Sequence, residues 1–303
     1  MTGNSAPFVT AANNAATHNA AAHSTAEAAP AFTLVFNHDD FVVLNKAPGV
    51  SFHSEQGAGL VVQAEQALGF ALYPVHRLDK VTSGLILFAK TAKVAARLSA
   101  LFQQQQIQKF YLALSAGKAQ KKQGWVKGDM APARRGAYKL LSSQQNPAVS
   151  YFISAGFDAA QSKVAETQEL NEQANALPAG LRLYLIKPFS GKTHQIRVAL
   201  KSVSAPILGD ELYQAVAADR VYLHAYALCF KDGGSEWQFV QKPDAGQYFL
   251  TQAVQQQLAI WGKPWRLSWP QYQMPAVKKL SGIESHLFSQ PDCCSENNAL
   301  DEG

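Results

Sequence analysis

The sequence predicts a protein of mixed strands and helices, folded as one domain between two tails. Three observations carry that prediction. Apolar runs of strand length recur between residues 32 and 230, with only a few stretches of helical spacing among them. Turn-forming Asn, Asp, Gly and Pro fall between the runs. The ends differ from both: residues 1–30 are rich in Ala, Asn, Thr and Ser, and residues 281–303 are polar and acidic. Neither end buries enough apolar surface to offset the entropy of ordering it. The 303 residues therefore divide into a disordered tail at 1–30, a folded domain at 31–280 and an acidic flexible tail at 281–303.

Taken in order, the runs Phe32-Thr33-Leu34-Val35-Phe36 and Phe41-Val42-Val43-Leu44-Asn45-Lys46 flank Asn37-His38-Asp39-Asp40 and read as a hairpin. Ala47-Pro48-Gly49 turns after it. Residues 63–72 suit a short helix. The stretch Tyr73-Pro74-Val75-His76-Arg77-Leu78-Asp79-Lys80-Val81-Thr82-Ser83 is charged and polar, and the apolar run at 84–89 then reads as a buried strand. Asp79 is thereby placed at the lip of a core. Thr91 is a plausible N-cap for a helix in which Val94, Ala95, Leu98, Leu101 and Phe102 share a face, with Lys93 and Arg97 on the other. In the strand at 107–114, Phe110, Leu112 and Leu114 point one way, and Lys109, Tyr111 and Ala113 the other. Tyr111 is free to line a cleft.

Residues 118–147 are rich in Lys, Arg, Gln and Gly, including Lys121, Lys122, Lys127, Arg134, Arg135 and Lys139. They fit a solvated hairpin or a basic flap against phosphate. Tyr151-Phe152-Ile153 is another strand, and residues 158–180 form a polar insertion with no evident chemistry. Leu181, Leu183 and Leu185 alternate as a strand, Ser190-Gly191 turns, and Thr193 can cap a helix. In that helix Ile196, Ala199, Leu200 and Val203 make an apolar stripe, so His194, Arg197 and Lys201 share a polar one that faces outward. Trp261, Trp265 and Trp269 lie four apart, but Pro264 and Pro270 rule out a simple helix; packing of a C-terminal segment onto the core explains them better than base stacking.

Composition excludes several classes. No apolar run approaches the roughly 20 residues that span a bilayer, and residues 1–30 lack the Lys or Arg of a signal-peptide n-region. A cytoplasmic protein with no membrane partner is expected. Its three cysteines, Cys229, Cys293 and Cys294, show no metal or disulfide spacing. The net charge of +5 understates the basicity of the folded part: residues 281–303 carry five carboxylates, residues 1–30 carry Glu27, and neither holds a Lys or Arg. Residues 31–280 are left with 27 basic and 16 acidic residues, an excess of eleven. That suits a polyanion such as RNA, and suits a mildly basic soluble enzyme equally.

A carboxylate on a loop beside an arginine, with its backbone fixed by a rigid strand, is a common way to hold a catalytic acid or nucleophile. It is also a common salt-bridged turn. The longer string decides between them. His76-Arg77-Leu78-Asp79 followed by Thr82-Ser83-Gly84 and an apolar strand resembles the signature of the RluA-type pseudouridine synthases, which isomerise uridine in RNA. The resemblance extends over residues 32–230. It includes Asn45-Lys46 before a Pro/Gly turn, here ordered Ala-Pro-Gly where the family has Pro-Ala-Gly, and the strand Lys109-Phe110-Tyr111. Gly191-Lys192-Thr193-His194-Gln195-Ile196-Arg197 also matches, with Ser190, Lys192 and Ala199 replacing a frequent Thr, Arg and His. Residues 206–210 and 220–225 resemble later family motifs.

The resemblance implies an α+β pseudouridine synthase fold: a bent, mostly antiparallel mixed sheet with flanking helices and a central catalytic cleft. The binding domain that precedes the catalytic one in some relatives is not expected, since residues 1–30 cannot form it. Asp79 is implied as the catalytic carboxylate, Arg197 as the cation that pairs with it, and Tyr111 as the residue that stacks on uracil and assists removal of the C5 proton. RNA contacts are expected at His76, Arg77, Thr82, Lys192 and His194, with Arg77, next to the Asp79 loop, the candidate to hold the displaced nucleotide's phosphate. Asp79 could attack the sugar, attack the uracil or remove a sugar proton. The expected partner is a stem-loop of ribosomal or transfer RNA, bound by a monomer, with no DNA, metal or cofactor. Two other classes compete. A non-catalytic RNA-binding relative would share fold and charge but lose Asp79, Tyr111 or Arg197, and a metal-dependent nuclease would need clustered carboxylates where this sequence offers one Asp among cations.

Overall fold

The strands form where apolar and β-branched residues recur, and the site lies where two groups of them meet. The computed structural model describes residues 8–10, 30–54, 57–157 and 180–273. Most of the 158–180 insertion and all of the 281–303 tail lie outside the described residues. In chain order the elements are β1 (Phe8–Thr10), β2 (Phe32–Asn37), β3 (Phe41–Lys46), α1 (Leu60–Leu68), β4 (Tyr73–Pro74), β5 (Ser83–Ala89), α2 (Ala92–Gln103) and β6 (Gln108–Ser115). There follow β7 (Gln123–Gly128), β8 (Met130–Pro132), β9 (Tyr138–Leu140), β10 (Ala148–Gly156), β11 (Arg182–Pro188), α3 (Gln195–Ser202), β12 (Leu223–Asp232), β13 (Ser235–Val240) and α4 (Gln252–Trp261). Short 3₁₀ turns occupy Arg134–Gly136, Glu211–Tyr213 and Pro264–Arg266.

Eleven strands make one mixed sheet whose main order is β2-β3-β5-β12-β6-β11-β10-β7. Each neighbouring pair along it is antiparallel except β5 and β12, which run parallel through two residue pairs, His224 with Ser83 and Ala225 with Gly84. Beyond that short seam β13 takes over the same edge of β12. Gly84 is required there. Its φ is +103°, and a Cβ would stand 2.3 Å from the carbonyl oxygen of Ala225.

Alternation explains how β3 and β5 are buried on both faces. Val42, Leu44, Ile86 and Phe88 pack with Leu60 and Ala64 of α1, while Val43, Leu85, Leu87 and Ala89 pack with Val94 and Leu98 of α2. The expected Thr91 cap of α2 is present, its hydroxyl accepting from the amide of Val94 at 3.3 Å. Beyond the seam, β6, β11 and β12 share a larger core with α3 and α4. Trp265 and Trp269 pack against that core, and Trp269 Nε1 donates to Pro264 O at 2.7 Å, as expected of a packing role.

Several expectations are corrected. Helix α1 starts earlier than residue 63 and stops at Gly69, whose φ of 79° closes a left-handed C-cap. Within the stretch expected to be wholly disordered, Phe8–Thr10 form a strand parallel to the free edge of β13. Thr193 does not cap α3; the N-cap is His194 at φ 57°, with no side-chain cap bond. The reason is Gln195, whose Oε1 accepts from Ser190 Oγ at 2.7 Å and from the amide of Lys192 at 3.0 Å, wrapping the loop around itself. Its Nε2 donates to Val149 O and Ser150 Oγ at 3.0 and 2.9 Å, tying the same turn to β10. Nor does α3 turn Arg197 outward, because residues 195–200 are all buried.

Candidate active site

The loop that carries Asp79 is pegged on either side of it. Leu78 is buried against Leu60, Phe88 and Ala225, a burial that stabilises by roughly 1.5–3 kcal/mol. After Asp79, the amide of Thr82 donates to Asp79 O at 3.0 Å and closes a turn. Between them, Lys80 O accepts from the amide of Gly49 at 2.9 Å and from Lys46 Nζ at 3.0 Å. Lys46 is wholly buried, and its amine also donates to Ala47 O at 2.8 Å. Burial and the charge of Arg220 push its pKa down to about 7, against the pull of Asp79. Two carbonyls receive N–H bonds of this amine, whether or not it carries its third proton.

A second anchor holds the start of β5. Arg220 Nη2 donates to Ser83 Oγ at 2.6 Å, which leaves the Ser83 proton for His224 Nδ1 at 2.8 Å and makes Nε2 the donor to Gln241 O at 2.9 Å. His224 is buried and neutral, its pKa lowered to about 3 chiefly by burial. The Asp79 loop is thus tied at Leu78, Lys80, Thr82 and Ser83, and the carboxylate is left to face the cleft.

Across from it stands α3. Arg197 Nη1 lies 3.7 Å from Asp79 Oδ2, and His194 Nε2 lies 3.9 Å from the same oxygen. The first is an ion-pair distance, and both are longer than a hydrogen bond. Arg197 makes its hydrogen bonds elsewhere: Nε and Nη2 donate to Asp210 Oδ2 and Oδ1 at 2.7 and 2.8 Å, a bidentate pair with both side chains buried. The expectation that Arg197 has Asp79 as its partner is therefore corrected to a shared one, with Asp210 the tighter. Gly209 makes this possible, since at φ +81° a Cβ would fall 1.9 Å from Arg220 O. Tyr213, from the same turn, places its ring 5.0 Å from the Arg197 guanidinium and its hydroxyl 3.0 Å from His194 Nδ1.

Asp79, Arg77, His194 and Arg197 line one pocket of about 210 Å³, together with Ser51, Phe52 and His53 from the loop after β3. Burial and the charge of Arg197 lower the pKa of His194, so its imidazole is neutral near pH 7. Tyr111 lies on β6 opposite Ala225 of the seam, close enough that burial and the Asp79 charge raise its pKa strongly. Lys109, on the same face, is pushed down to about 8 by burial, with its amine 5.7 Å from the centre of the Phe102 ring.

The other expected RNA contacts fall outside the pocket. His76 accepts from the amide of Leu87 at 2.9 Å and packs its ring on Phe102, and burial lowers its pKa to about 3. Thr82 is 2% exposed, too buried to meet RNA. Lys192 Nζ donates to Asn146 Oδ1 at 2.8 Å, in an exposed bond away from the pocket lining. Sequence reasoning missed Lys46, Asp210, Tyr213 and the Ser83–His224–Arg220 chain as parts of the site. The available signal was Gly209-Asp210 with Tyr213 three residues on: a glycine that frees a tight turn, followed by an acid and a phenol.

A carboxylate on a tethered loop in a small pocket, with a guanidinium on one side, a neutral imidazole on the other and no side-chain hydrogen bond of its own among the described residues, is arranged for nucleophilic or base chemistry. Among the described residues no group of three or more His, Cys, Asp or Glu side chains could hold a metal ion. No helix among them is long and apolar enough to cross a membrane.

Comparison with known proteins shows the family and the fold. Residues 40–202 match the family model for RNA pseudouridylate synthase. A protein of Haemophilus influenzae named as an uncharacterized RNA pseudouridine synthase is 40% identical over 232 residues, 75% of this chain and 95% of that one. Ribosomal large subunit pseudouridine synthase C is 31% identical over 228 residues in Escherichia coli K12 and 30% over 227 in Vibrio parahaemolyticus. Those matches span 70% and 69% of this chain, but only 66% and 65% of the relatives' own length. Among solved structures, human RNA pseudouridylate synthase domain containing 1 aligns with TM-score 0.56 at 22% identity, covering 70% of this chain and 83% of that one, and shows the same fold. The chain belongs to the RNA pseudouridylate synthase family, isomerases that act on RNA.

Proposed function

We propose that this protein converts specific uridines of large-subunit ribosomal RNA to pseudouridine, with Asp79 as the catalytic carboxylate. The observation that carries the reading is the placement of Asp79 in a pocket with Arg197 and His194 within 4 Å of its Oδ2. In the isomerisation the bond from ribose C1′ to uracil N1 breaks, the base turns, and C1′ bonds to C5. C5 loses a proton and N1 gains one. No electrons are exchanged, so the reaction requires no redox cofactor.

A stacked uridine cannot reach a half-buried carboxylate inside a pocket, so the nucleotide is flipped into it at a cost of a few kcal/mol. Arg77, exposed at the pocket rim, is suited to the displaced phosphate. Arg197 supports an ionised Asp79 because a guanidinium does not deprotonate, and its second carboxylate fixes its plane. Tyr111 is suited to stack on the base as a neutral phenol, given its raised pKa. Retention of Asp79, Tyr111 and Arg197 together favours an enzyme over a non-catalytic RNA-binding relative.

The names of the relatives from E. coli and Vibrio point to ribosomal RNA. Mapping pseudouridines in ribosomal and transfer RNA, from cells with and without the gene, tests this. Loss of one or a few large-subunit sites, restored by the wild-type gene, is expected. Loss confined to transfer RNA would move the substrate, and an unchanged map would contradict the proposal.

A further inference from the structure

We infer that Tyr213 is a positioning residue, which fixes the tautomer of His194 so that an imidazole Nε2–H is presented to the Asp79 pocket. The inference rests on the proposed isomerisation for its catalytic consequence, and on geometry for the rest. Tyr213 is buried, in the 3₁₀ turn that also supplies Asp210. Among the described residues its hydroxyl has two hydrogen-bonding neighbours, the amide of Tyr138 and His194 Nδ1, each at 3.0 Å. An amide N–H can only donate. The phenol oxygen accepts that proton; were it to accept a second from Nδ1, its own proton would have no acceptor among the described residues, so the hydroxyl donates to Nδ1. Nδ1 is therefore unprotonated, and in a neutral imidazole the remaining proton sits on Nε2, which lies 3.9 Å from Asp79 Oδ2.

The surroundings hold His194 in this state. Its backbone is left-handed at φ 57°, a conformation sparsely populated by non-glycine residues, and the ring is braced edge-on by Tyr138 and Tyr213 at 5.6 and 5.9 Å. Arg197, over the Tyr213 ring, opposes a second proton on the imidazole. Tyr138 lies on β9, in the hairpin whose turn carries Arg134 and Arg135, so one hydroxyl joins that basic hairpin to the cleft. With RNA bound, the Nε2–H is a neutral donor at the pocket wall, suited to a uracil carbonyl or a phosphate oxygen.

The first measurement needs no substrate. Full-length protein labelled with ¹⁵N-histidine, at pH 7.5 without RNA, reports which ring nitrogen of His194 carries the proton, with His194→Gln assigning the signal. Protonated Nε2 and bare Nδ1 are expected, and protonated Nδ1 in the wild type would overturn the inference. Tyr213→Phe keeps the ring beneath Arg197 and removes the hydroxyl. It is expected to release the tautomer to a mixture and lower kcat tenfold or more, with KM for RNA within threefold. In the His194→Gln background, where the amide N–H replaces that of Nε2, the same change should cost less than threefold. A Tyr213→Phe enzyme with unchanged tautomer, unchanged kcat or a loss confined to KM would contradict the positioning role. If that variant does not fold, the wild-type tautomer and a His194→Asn and His194→Gln comparison decide: Gln should retain at least fivefold more activity, because its amide nitrogen occupies the position of Nε2. The tautomer can be wrong while the isomerisation by Asp79 stands, and the converse, so the two proposals fail separately.

Discussion

Arg197 serves two carboxylates, and the consequence of removing it differs at each. Without its guanidinium, Asp210 is left 1% exposed with no cation, a situation that costs about 3–5 kcal/mol. Arg197→Met should therefore lose stability as well as activity, and urea unfolding would show both this and a similar loss for Asp210→Leu. The double variant should be less destabilised than the sum of the two by at least 1–2 kcal/mol, since neither charge is then stranded. Simple additivity would mean the pair is not coupled. At this scale Asp79 was legible, because a polar loop running into a wholly apolar strand fixes where the carboxylate sits. Asp210 was not legible as the partner of Arg197. Helical periodicity assigns a residue to a stripe but says nothing of which turn packs on it, and here buried neighbours surround α3 on all sides.

Among the elements, β5 is held by two neutral histidines. His76 receives the amide of Leu87 and His224 receives the hydroxyl of Ser83, and both pKa values fall from 6.5 to about 3. The unfolded chain binds these protons below pH 6.5 and the folded one does not. Stability from this source is therefore complete above pH 6.5 and is lost as pH falls toward 3, by roughly 1.4 kcal/mol per unit for each histidine. Urea midpoints at pH 7.5, 6 and 5 should fall in that order, and His224→Asn should flatten part of the slope. A slope unchanged in the variant would remove His224 from the account. The seam makes a sharper demand on one residue. Gly84→Ala should destabilise by more than 2 kcal/mol, because the backbone angle and the Ala225 carbonyl both oppose a side chain. The strands β3, β5 and β6 and helix α2 could be read from alternation and a cap. The seam could not, since residues 83–84 meet residues 224–225 through a pairing that no local pattern encodes.

For the whole molecule, charge governs the encounter with substrate. With an excess of eleven basic residues between 31 and 280, RNA affinity should fall steeply with salt, by a linear decrease of log K against log concentration from 50 to 200 mM. A flat dependence would argue against a phosphate-contacting surface. The N-terminal tail is a separate matter: a chain trimmed to residues 31–280 should keep its catalytic rate, but the edge of β13 that β1 covers becomes free and self-association should rise.

The central claim is that Asp79 carries out the isomerisation, and Asp79→Asn tests it most directly. The two side chains have similar volume, so the substitution removes charge and nucleophile while leaving the loop tethered through Leu78, Lys80, Thr82 and Ser83. Single-turnover pseudouridine formation on a target RNA identified by mapping, measured beside RNA affinity and thermal unfolding, should show no product above background, with binding and stability near those of the wild type. A folded, RNA-binding Asp79→Asn protein that forms pseudouridine within tenfold of the wild-type rate would contradict the account.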